Sequence, residues 1–357
     1  STPAGGGGGA PAPPAPLAPA ERRLARALTG QAIDHPEQPD WVRLEHPEWL
    51  SADLRRSLGA SFEAEMTALM APATLDLRVN ALKATREAAI AALAAEGVEA
   101  APTPLSPWGL RVDARLPLNV LAAFRDGLVE VQDEGSQVAA LLVDARPGQQ
   151  VVDFCAGAGG KTLALAAAMG NRGRLVACDT LPGRLRRAGE RLRRAGVHNV
   201  RARVLAGARD PWVKRHRGRF DRVLIDAPCT GTGTWRRNPD ARWRLAPEQL
   251  GGLRAAQREI LASAARLVGP GGRLVYVTCS LIDVENVDQV RSFLEHDPSF
   301  AALSIDRVWA EAIGTAPPAS GPFLVLTPSR HGTDGFFIAV LERRAGAPDR
   351  PERGDEP

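Results

Sequence analysis

Hydrophobic positions along the chain change period three times. Leu24 and Leu28, then Leu54, Leu58, Phe62 and Met66, recur at the spacing of a helix face. Thr74-Leu-Asp-Leu-Arg-Val-Asn80 then alternates apolar with polar, the pattern of a half-buried strand. An Ala- and Leu-rich stretch from Thr85 to Gly97 predicts a helix that stops at its glycine, and 98–101, 109–112 and 128–131 are further strand candidates. Glu134-Gly-Ser136-Gln opens an apolar helix over 138–143. From Val151 short apolar runs alternate with helical stretches, with strands at 151–155, 174–178, 200–205, 222–225 and 274–277. Helices fall between them at 161–169, 185–196 and 247–268, and one follows at 284–295. The runs 323–326 and 336–341 close the domain as an antiparallel pair. Five strand–helix units in succession predict an α/β fold: a doubly wound, mainly parallel sheet.

The breaks in pattern divide the chain into five parts. Residues 1–20 are Gly, Ala and Pro and read as a disordered tail, as do 344–357. Residues 21–70 form an N-terminal helical segment. Residues 71–132 form a small α+β module, of RNA-recognition type or another small sandwich, and 133–343 form the main domain.

Composition narrows the setting. An apolar content of 44% supports an ordinary core, and no run approaches the ~20 apolar residues that span a bilayer. The N-terminal residues lack a charged and then apolar leader, so a soluble cytoplasmic protein is expected. The four cysteines, Cys155, Cys178, Cys229 and Cys279, form no CxxC pair. Neither structural zinc nor a disulfide framework is expected, and no metal. A net charge of +4 permits a nucleic-acid partner. The cations are nearly all arginine; the lysines are Lys83, Lys161 and Lys214, so each marks a place where a compact point charge could matter.

Candidate chemistry collects after the predicted strands. Asp153-Phe-Cys155-Ala156-Gly157-Ala158-Gly159-Gly160-Lys161-Thr162 joins the first strand of the main domain to its helix. It departs by single residues from a phosphate-binding P-loop, because Cys155 stands where the first Gly belongs, and from a dinucleotide fingerprint, because Thr162 stands where the last Gly belongs. What remains is a glycine turn at a helix N-terminus that lets a ligand approach the backbone. Asp179 ends the next strand, where a carboxylate can hold a ribose diol. The pair fits an adenosine ligand without a phosphate demand, S-adenosylmethionine. Cys229, in Asp226-Ala-Pro-Cys229-Thr-Gly-Thr-Gly, follows the fourth strand, and Cys279, in Thr278-Cys279-Ser280, follows the fifth. Neighbouring strands would bring both thiols and Asp226 to one cleft. Cys155 and Cys178 read instead as small buried hydrophobes, although Cys155 also belongs to the glycine loop. A thiolate that adds to C6 of cytosine turns C5 into a carbon able to attack a sulfonium methyl group.

These stretches resemble a known family. With Leu77-Arg-Val-Asn80, Val131-Gln-Asp-Glu134-Gly-Ser136-Gln, Arg236-Arg-Asn-Pro239-Asp and Glu285-Asn286, the chain is similar over about 45–343 to RNA cytosine-C5 methyltransferases of the RsmB/Nop2/Sun family. The likeness is strongest to the bacterial RsmB-type enzymes that act on 16S ribosomal RNA. The resemblance implies a class I methyltransferase (Rossmann-like) catalytic domain. It implies that Cys279 is the nucleophile, that Cys229 helps release the enzyme, and that Asp226 contacts the cytosine ring and the methionine end of the cofactor. Residues Cys155 to Lys161 would cradle S-adenosylmethionine and Asp179 would hold its ribose. In two respects the chain departs from the family. No acid stands at 206–208 to meet the adenine amine, Asp210 being the nearest, and residues 21–60 are too short for the helical domain, resembling the antitermination factor NusB, that longer members carry.

Trp235, Arg236 and Arg237, with Arg242-Trp243-Arg244 close by, mix stacking and cationic groups and are candidates for RNA contact, as is Lys83. The arginines at 186–194 read as a solvated helix face. The expected partner is small-subunit ribosomal RNA and the expected state a monomer. Rival readings are a tRNA methyltransferase of the same family and a non-catalytic RNA-binding assembly factor. A DNA cytosine methyltransferase is disfavoured, since it would use the Pro-Cys thiol and have no need of Cys279.

Overall fold

The computed structural model describes residues 16–30, 35, 37–113 and 117–346, so most of both expected tails lies outside the described residues. Residues up to Arg43 form one compact unit and those from Leu44 a second. In the first, the helix Pro19–Leu28 buries none of its side chains. It begins inside the stretch expected to be a tail. Pro occupies its first turn, where no N–H is needed, and the Glu21 carboxylate accepts the Ala18 N–H at 2.6 Å.

The second unit opens with the helices Ser51–Leu58 and Phe62–Met70, whose Leu54, Phe62, Met66 and Leu69 are buried. Four short strands follow: β1 (Leu75–Val79), β2 (Ala101–Pro102), β3 (Gly109–Val112) and β4 (Val129–Val131). Their order is β2-β3-β1-β4, and β1 pairs antiparallel with both β3 and β4. With the helices Arg86–Ala95 and Ala122–Arg125 between strands, this is a ferredoxin-like βαββαβ arrangement. The strand expected over 98–101 shrinks to Ala101–Pro102.

Strand β1 departs from its half-buried reading, because both of its faces are covered. Leu77 and Val79 fill the module's own core. Asp76, Arg78 and Asn80 turn the other way, and each is buried and bonded. Asp76 accepts the Arg111 Nε–H at 2.8 Å and the Glu134 N–H at 3.1 Å. Arg78 donates to Gln132 Oε1 (2.6 Å) and the Gly160 carbonyl (2.8 Å), and Asn80 to the Gly127 and Ala195 carbonyls, each at 2.9 Å. The polar face of the strand is thus a docking face for the main domain.

The main sheet contains β5 (Gln150–Asp153), β6 (Arg174–Asp179), β7 (Val200–Val204), β8 (Phe220–Asp226), β9 (Val268–Thr278), β10 (Phe300–Ala302), β11 (Leu324–Leu326) and β12 (Phe336–Arg343). Its order is β10-β12-β9-β8-β5-β6-β7, with β11 hydrogen-bonded to β12. The five expected parallel strands are present, and β5–β6, β5–β8, β6–β7 and β8–β9 all pair in parallel. The closing hairpin is a larger assembly than its sequence pattern predicts. β12 pairs antiparallel with β9, β10 and β11. β10 is too short, and the helix Ile305–Ala312 too close behind it, for periodicity to separate them.

Central strands are buried on both sides, which is why they read as continuous apolar runs. Val223, Ile225, Leu274 and Tyr276 point into one hydrophobic layer, and Leu224, Val275 and Val277 into the other. Helix Pro247–Ala265 stops three residues short of its expected end because Val268 already belongs to β9.

Past β8 the chain packs too tightly for a side chain. A Cβ on Gly233 would lie 2.4 Å from the Gly335 carbonyl oxygen, where the Gly335 N–H donates to Gly233 O at 2.8 Å. Gly233→Ala is therefore expected to lower stability by about 1–3 kcal/mol, the usual size of an overpacking penalty. Urea denaturation at neutral pH measures it, and an unchanged midpoint would contradict the close approach.

Candidate active site

The carboxyl ends of β5, β6, β8 and β9 open on one side of the sheet, where open α/β folds place their ligands. A cleft of about 480 Å³ lies there. Backbone and side chains of Cys155, Ala156, Gly157, Ala158, Gly160 and Lys161 line one wall, and Asp226 stands at its edge. Gly157 (φ 55°) and Gly159 (φ 82°) are both left-handed, and a Cβ on Gly159 would approach that of Ala188 to 2.9 Å. Gly159 thus shapes the turn from beneath and is not part of the wall. The helix Gly160–Ala168 starts at once and aims its free N–H groups toward the cleft.

Lys161 is buried, and its Nζ donates to Asp226 Oδ2 at 2.7 Å. The same ammonium lies 5.3 Å from the centre of the Phe336 ring. Asp226 keeps a side-chain exposure of 35%, so one lysine-neutralised carboxylate faces the cleft. Asp179 sits at the end of β6, its carboxylate accepting the Gly157 N–H at 2.9 Å and the Leu181 N–H at 2.8 Å. It braces the glycine turn directly, and each oxygen retains an acceptor site.

Cys229 and Cys279 follow adjacent strands, and their sulfurs are 3.5 Å apart. Both are half-buried. The hydrogen bond to Cys279, burial, and the negative charges of Cys279 and Glu285 push the Cys229 thiol well above the usual range. Burial does the same to Cys155 and Cys178, which suits packing rather than nucleophilic roles.

Other candidates are placed elsewhere. Trp235 is fully buried among Leu50, Leu54, Leu250 and Leu281, with the Arg242 guanidinium 5.4 Å from its ring, so it offers no face to a base. Arg236 is buried too, its Nε–H donating to Asp334 at 2.6 Å, with Asp133 3.4 Å from its Nη2. Arg237 is part of the cleft lining and is held by the same two carboxylates. Arg242 is buried against the Glu45 and Leu69 carbonyls, which leaves Trp243 as the exposed aromatic of this stretch. Lys83 clamps two backbone carbonyls, Asp126 O (2.6 Å) and Arg194 O (2.8 Å), the latter at a helix C-terminus. Asp210 caps the helix Pro211–Arg215 through the Trp212 N–H and accepts from Ala206 N. Arg191 and Arg194 leave the expected solvated face and bind Glu130, and Arg191 also holds the Ala158 carbonyl at 2.8 Å.

Sequence reasoning assigned no role to Asp133, Gln132 and Asp334. All three lie in the cleft wall. The first two belong to a motif already singled out, and Asp334 precedes the last strand in Thr-Asp-Gly. Burial beside Asp334 raises Asp133 to about 6.

The strand order β7-β6-β5-β8-β9-β12-β10, the antiparallel β12 and the glycine loop after β5 define a class I methyltransferase fold. Residues 140–342 match the family described as 16S rRNA methyltransferase RsmB/F, and 46–119 match its ferredoxin-like domain. The chain is 33% identical over 330 residues to the probable ribosomal RNA small subunit methyltransferase B of Synechocystis, covering 91% of this chain and 71% of that protein. It is 33% identical over 324 residues to ribosomal RNA small subunit methyltransferase B of Vibrio cholerae, covering 90% and 70%. The crystal structure of PH0851 superposes with a TM-score of 0.79 at 34% identity, covering 88% and 70%. A methyltransferase homolog from Pyrococcus horikoshii gives 0.72 at 26%, covering 85% and 97%. The chain belongs to the RsmB/F family. The ferredoxin-like match begins at 46 and so takes in the helices Ser51–Leu58 and Phe62–Met70, which precede β1. Among the described residues no helix is long and apolar enough to cross a membrane.

At the root of the glycine loop, Asp153 is fully buried and only its Oδ2 is bonded, accepting from Thr162 Oγ1 at 2.6 Å. Burial raises its carboxyl to about 7. Between about pH 4 and 7 the folded chain then keeps a proton that the unfolded chain releases, so this group's contribution to stability falls as pH rises. Asp153→Asn is expected to flatten that decline and to be relatively more stable at pH 8 than at pH 5. Urea denaturation at the two pH values is the check, and an unaltered slope would count against the buried neutral acid.

Proposed function

We propose that the protein is an S-adenosylmethionine-dependent RNA cytosine-C5 methyltransferase acting on 16S ribosomal RNA. The observation that carries the reading is the pair of thiols 3.5 Å apart on the loops that follow β8 and β9, with β8 ending at Asp226, which Lys161 holds in the glycine-loop cleft. One thiol would serve a packing role or a simple nucleophile. Two adjoining thiols and a carboxylate match a reaction in which a covalent bond is made and then undone.

The residues fit S-adenosylmethionine. A Cβ on Gly157, in the cleft wall, would meet no atom within 4 Å, so the turn leaves open space against bare backbone. Asp179 supplies acceptors for ribose hydroxyls, and Asp226 an acceptor near the methionine end. When bound, the cofactor supplies an electrophilic methyl group.

In the proposed reaction the thiolate of Cys279 adds to C6 of an unstacked cytosine, making C5 nucleophilic. Asp226 orients the ring, while Lys161 holds its carboxylate in place. A proton taken up from water is shared between that carboxylate and N3 as negative charge develops there, and returns to water when the ring is restored. After C5 is methylated, its proton passes to water. The C5–H electrons reform the C5–C6 double bond, and the C6–S bond breaks with its pair going to the Cys279 sulfur. Cys229, in contact with that sulfur, assists the release. Trp243 is the exposed aromatic of this loop, and Arg244 beside it is exposed too, with its guanidinium paired to Asp240, so these two are the groups of this loop proposed to meet RNA.

With RNA and S-adenosylmethionine, Cys229→Ala is expected to accumulate a covalent protein–RNA complex on a denaturing gel, and Cys279→Ala to form none and be inactive. Adduct formed by Cys279→Ala would refute the assignment. Bisulfite sequencing of ribosomal RNA from a deletion strain identifies the base, and a modified site found only in tRNA would favour the rival substrate. Asp179→Ala is expected to weaken cofactor binding at least tenfold by calorimetry, the loss of about 1.4 kcal/mol; unchanged affinity would remove the ribose role.

A further inference from the structure

Glu285 and Asn286 lie outside the cleft lining, yet together with Gln257 they hold every residue that flanks the two thiols. Asn286 takes the Cys279 side. Its Oδ1 accepts from Thr278 Oγ1 at 2.5 Å, and its Nδ2 donates to the Ser280 carbonyl at 2.8 Å. Glu285 takes the Cys229 side. Its carboxylate accepts the Thr230 N–H at 3.0 Å and the Thr230 hydroxyl at 2.5 Å. It also accepts from Gln257 Nε2 at 2.9 Å, and that same amide donates to the Pro228 carbonyl at 2.9 Å. The Glu285 backbone carbonyl accepts from Tyr276 OH at 2.7 Å, which ties the clamp to β9.

The Glu285 side chain is fully buried, and among the described residues no Lys, Arg or His forms an ion pair with it. Every donor on it is neutral. An amide could accept these contacts at one oxygen alone, whereas a carboxylate accepts at both and carries a charge. A buried, cation-free charge acts strongly on its neighbours because little solvent screens it. The ionisable groups it meets are Cys229, pushed up by its hydrogen bond to Cys279, by burial, by the Cys279 charge and then by Glu285, and the Tyr276 phenol, pushed up by burial, by Cys229 and then by Glu285. On the other side of the pair, the Asp226 carboxylate is neutralised by Lys161.

We propose that Glu285 is a positioning residue that keeps the proton on Cys229, so that Cys229 serves Cys279 as a hydrogen-bond donor and only Cys279 becomes the thiolate. The inference rests on the two-thiol reading above and assigns the division of labour within it. Two thiols in contact cannot both ionise cheaply, and their common environment alone leaves the choice open. The Glu285 carboxylate bonds Thr230 beside Cys229 and neither neighbour of Cys279, and so breaks the symmetry. It also gives release a physical form. When the C6–S bond breaks and its electron pair goes to Cys279, the adjacent Cys229 S–H stabilises the new thiolate as a leaving group.

The test needs neither RNA nor cofactor, so it is independent of whether the methyl-transfer reading holds. The full chain is treated with iodoacetamide from pH 6 to 10, and initial alkylation of each cysteine is followed by peptide mass spectrometry. Thiolates alone react, so each profile reports the ionisation of one sulfur. In the wild type Cys279 is expected to react at least tenfold faster than Cys229 at pH 8. Glu285→Gln should raise the Cys229 rate about tenfold, equivalent to one pKa unit. Thr230→Val loosens the same loop but leaves the charge, and should leave the Cys229 profile where it was. Equal wild-type rates at the two cysteines would overturn the proposal without any variant. So would a Cys229 profile that Glu285→Gln leaves unmoved, or that both variants shift equally.

Discussion

Strands β8 and β9 pair in parallel with Leu224 opposite Val275 and Asp226 opposite Val277. Everything at the mouth of the cleft hangs on that register. Alternate residues of both strands enter opposite hydrophobic layers, so a slip of one residue would exchange the contents of the two layers. Burial on both faces therefore fixes the register strongly. The strands end level with one another, and two loops of a few residues suffice to bring Cys229 and Cys279 into contact. The helix that carries Gln257 and the turn that carries Glu285 and Asn286 then secure the loops without reaching into the cleft.

What could be read in the sequence was whatever depends on period and on backbone. The parallel strands are uninterrupted apolar runs because water reaches neither face. The glycine loop declares itself because left-handed turns and close approach admit little else. Asp226, Cys229 and Cys279 follow from strand ends, since the sheet leaves those positions nowhere else to go. Lys161 was marked by its rarity, and the structure gives it a buried point-charge task beside Asp226.

What could not be read was which polar residues are spent on internal contacts. In Trp235-Arg236-Arg237 the mixture of ring and charge is identical to that of a nucleic-acid grip, yet the ring fills a core with the N-terminal helices and the guanidinium groups neutralise Asp133 and Asp334. Those carboxylates lie about 100 residues away on either side, a distance over which local pattern carries no information. Arginine bias compounds the problem, because Arg191 and Arg194 look no different in sequence from their exposed neighbours. Lys83 stood out for the same reason as Lys161, but its partners are carbonyl oxygens, invisible to side-chain chemistry.

The bond from Arg78 to the Gly160 carbonyl has a thermodynamic corollary. Arg78 is buried, and desolvation lowers its guanidinium to about 10, so its charge is held by its two oxygen partners rather than by water. Undocking the ferredoxin-like module would strip the Arg78 donor from the first carbonyl of the helix that forms the cleft wall. Module docking and the order of the glycine loop are thus linked equilibria, and linkage runs both ways. A ligand that stabilised the ordered loop would by the same linkage favour the docked module, whose Arg78 lies 82 residues earlier in the chain.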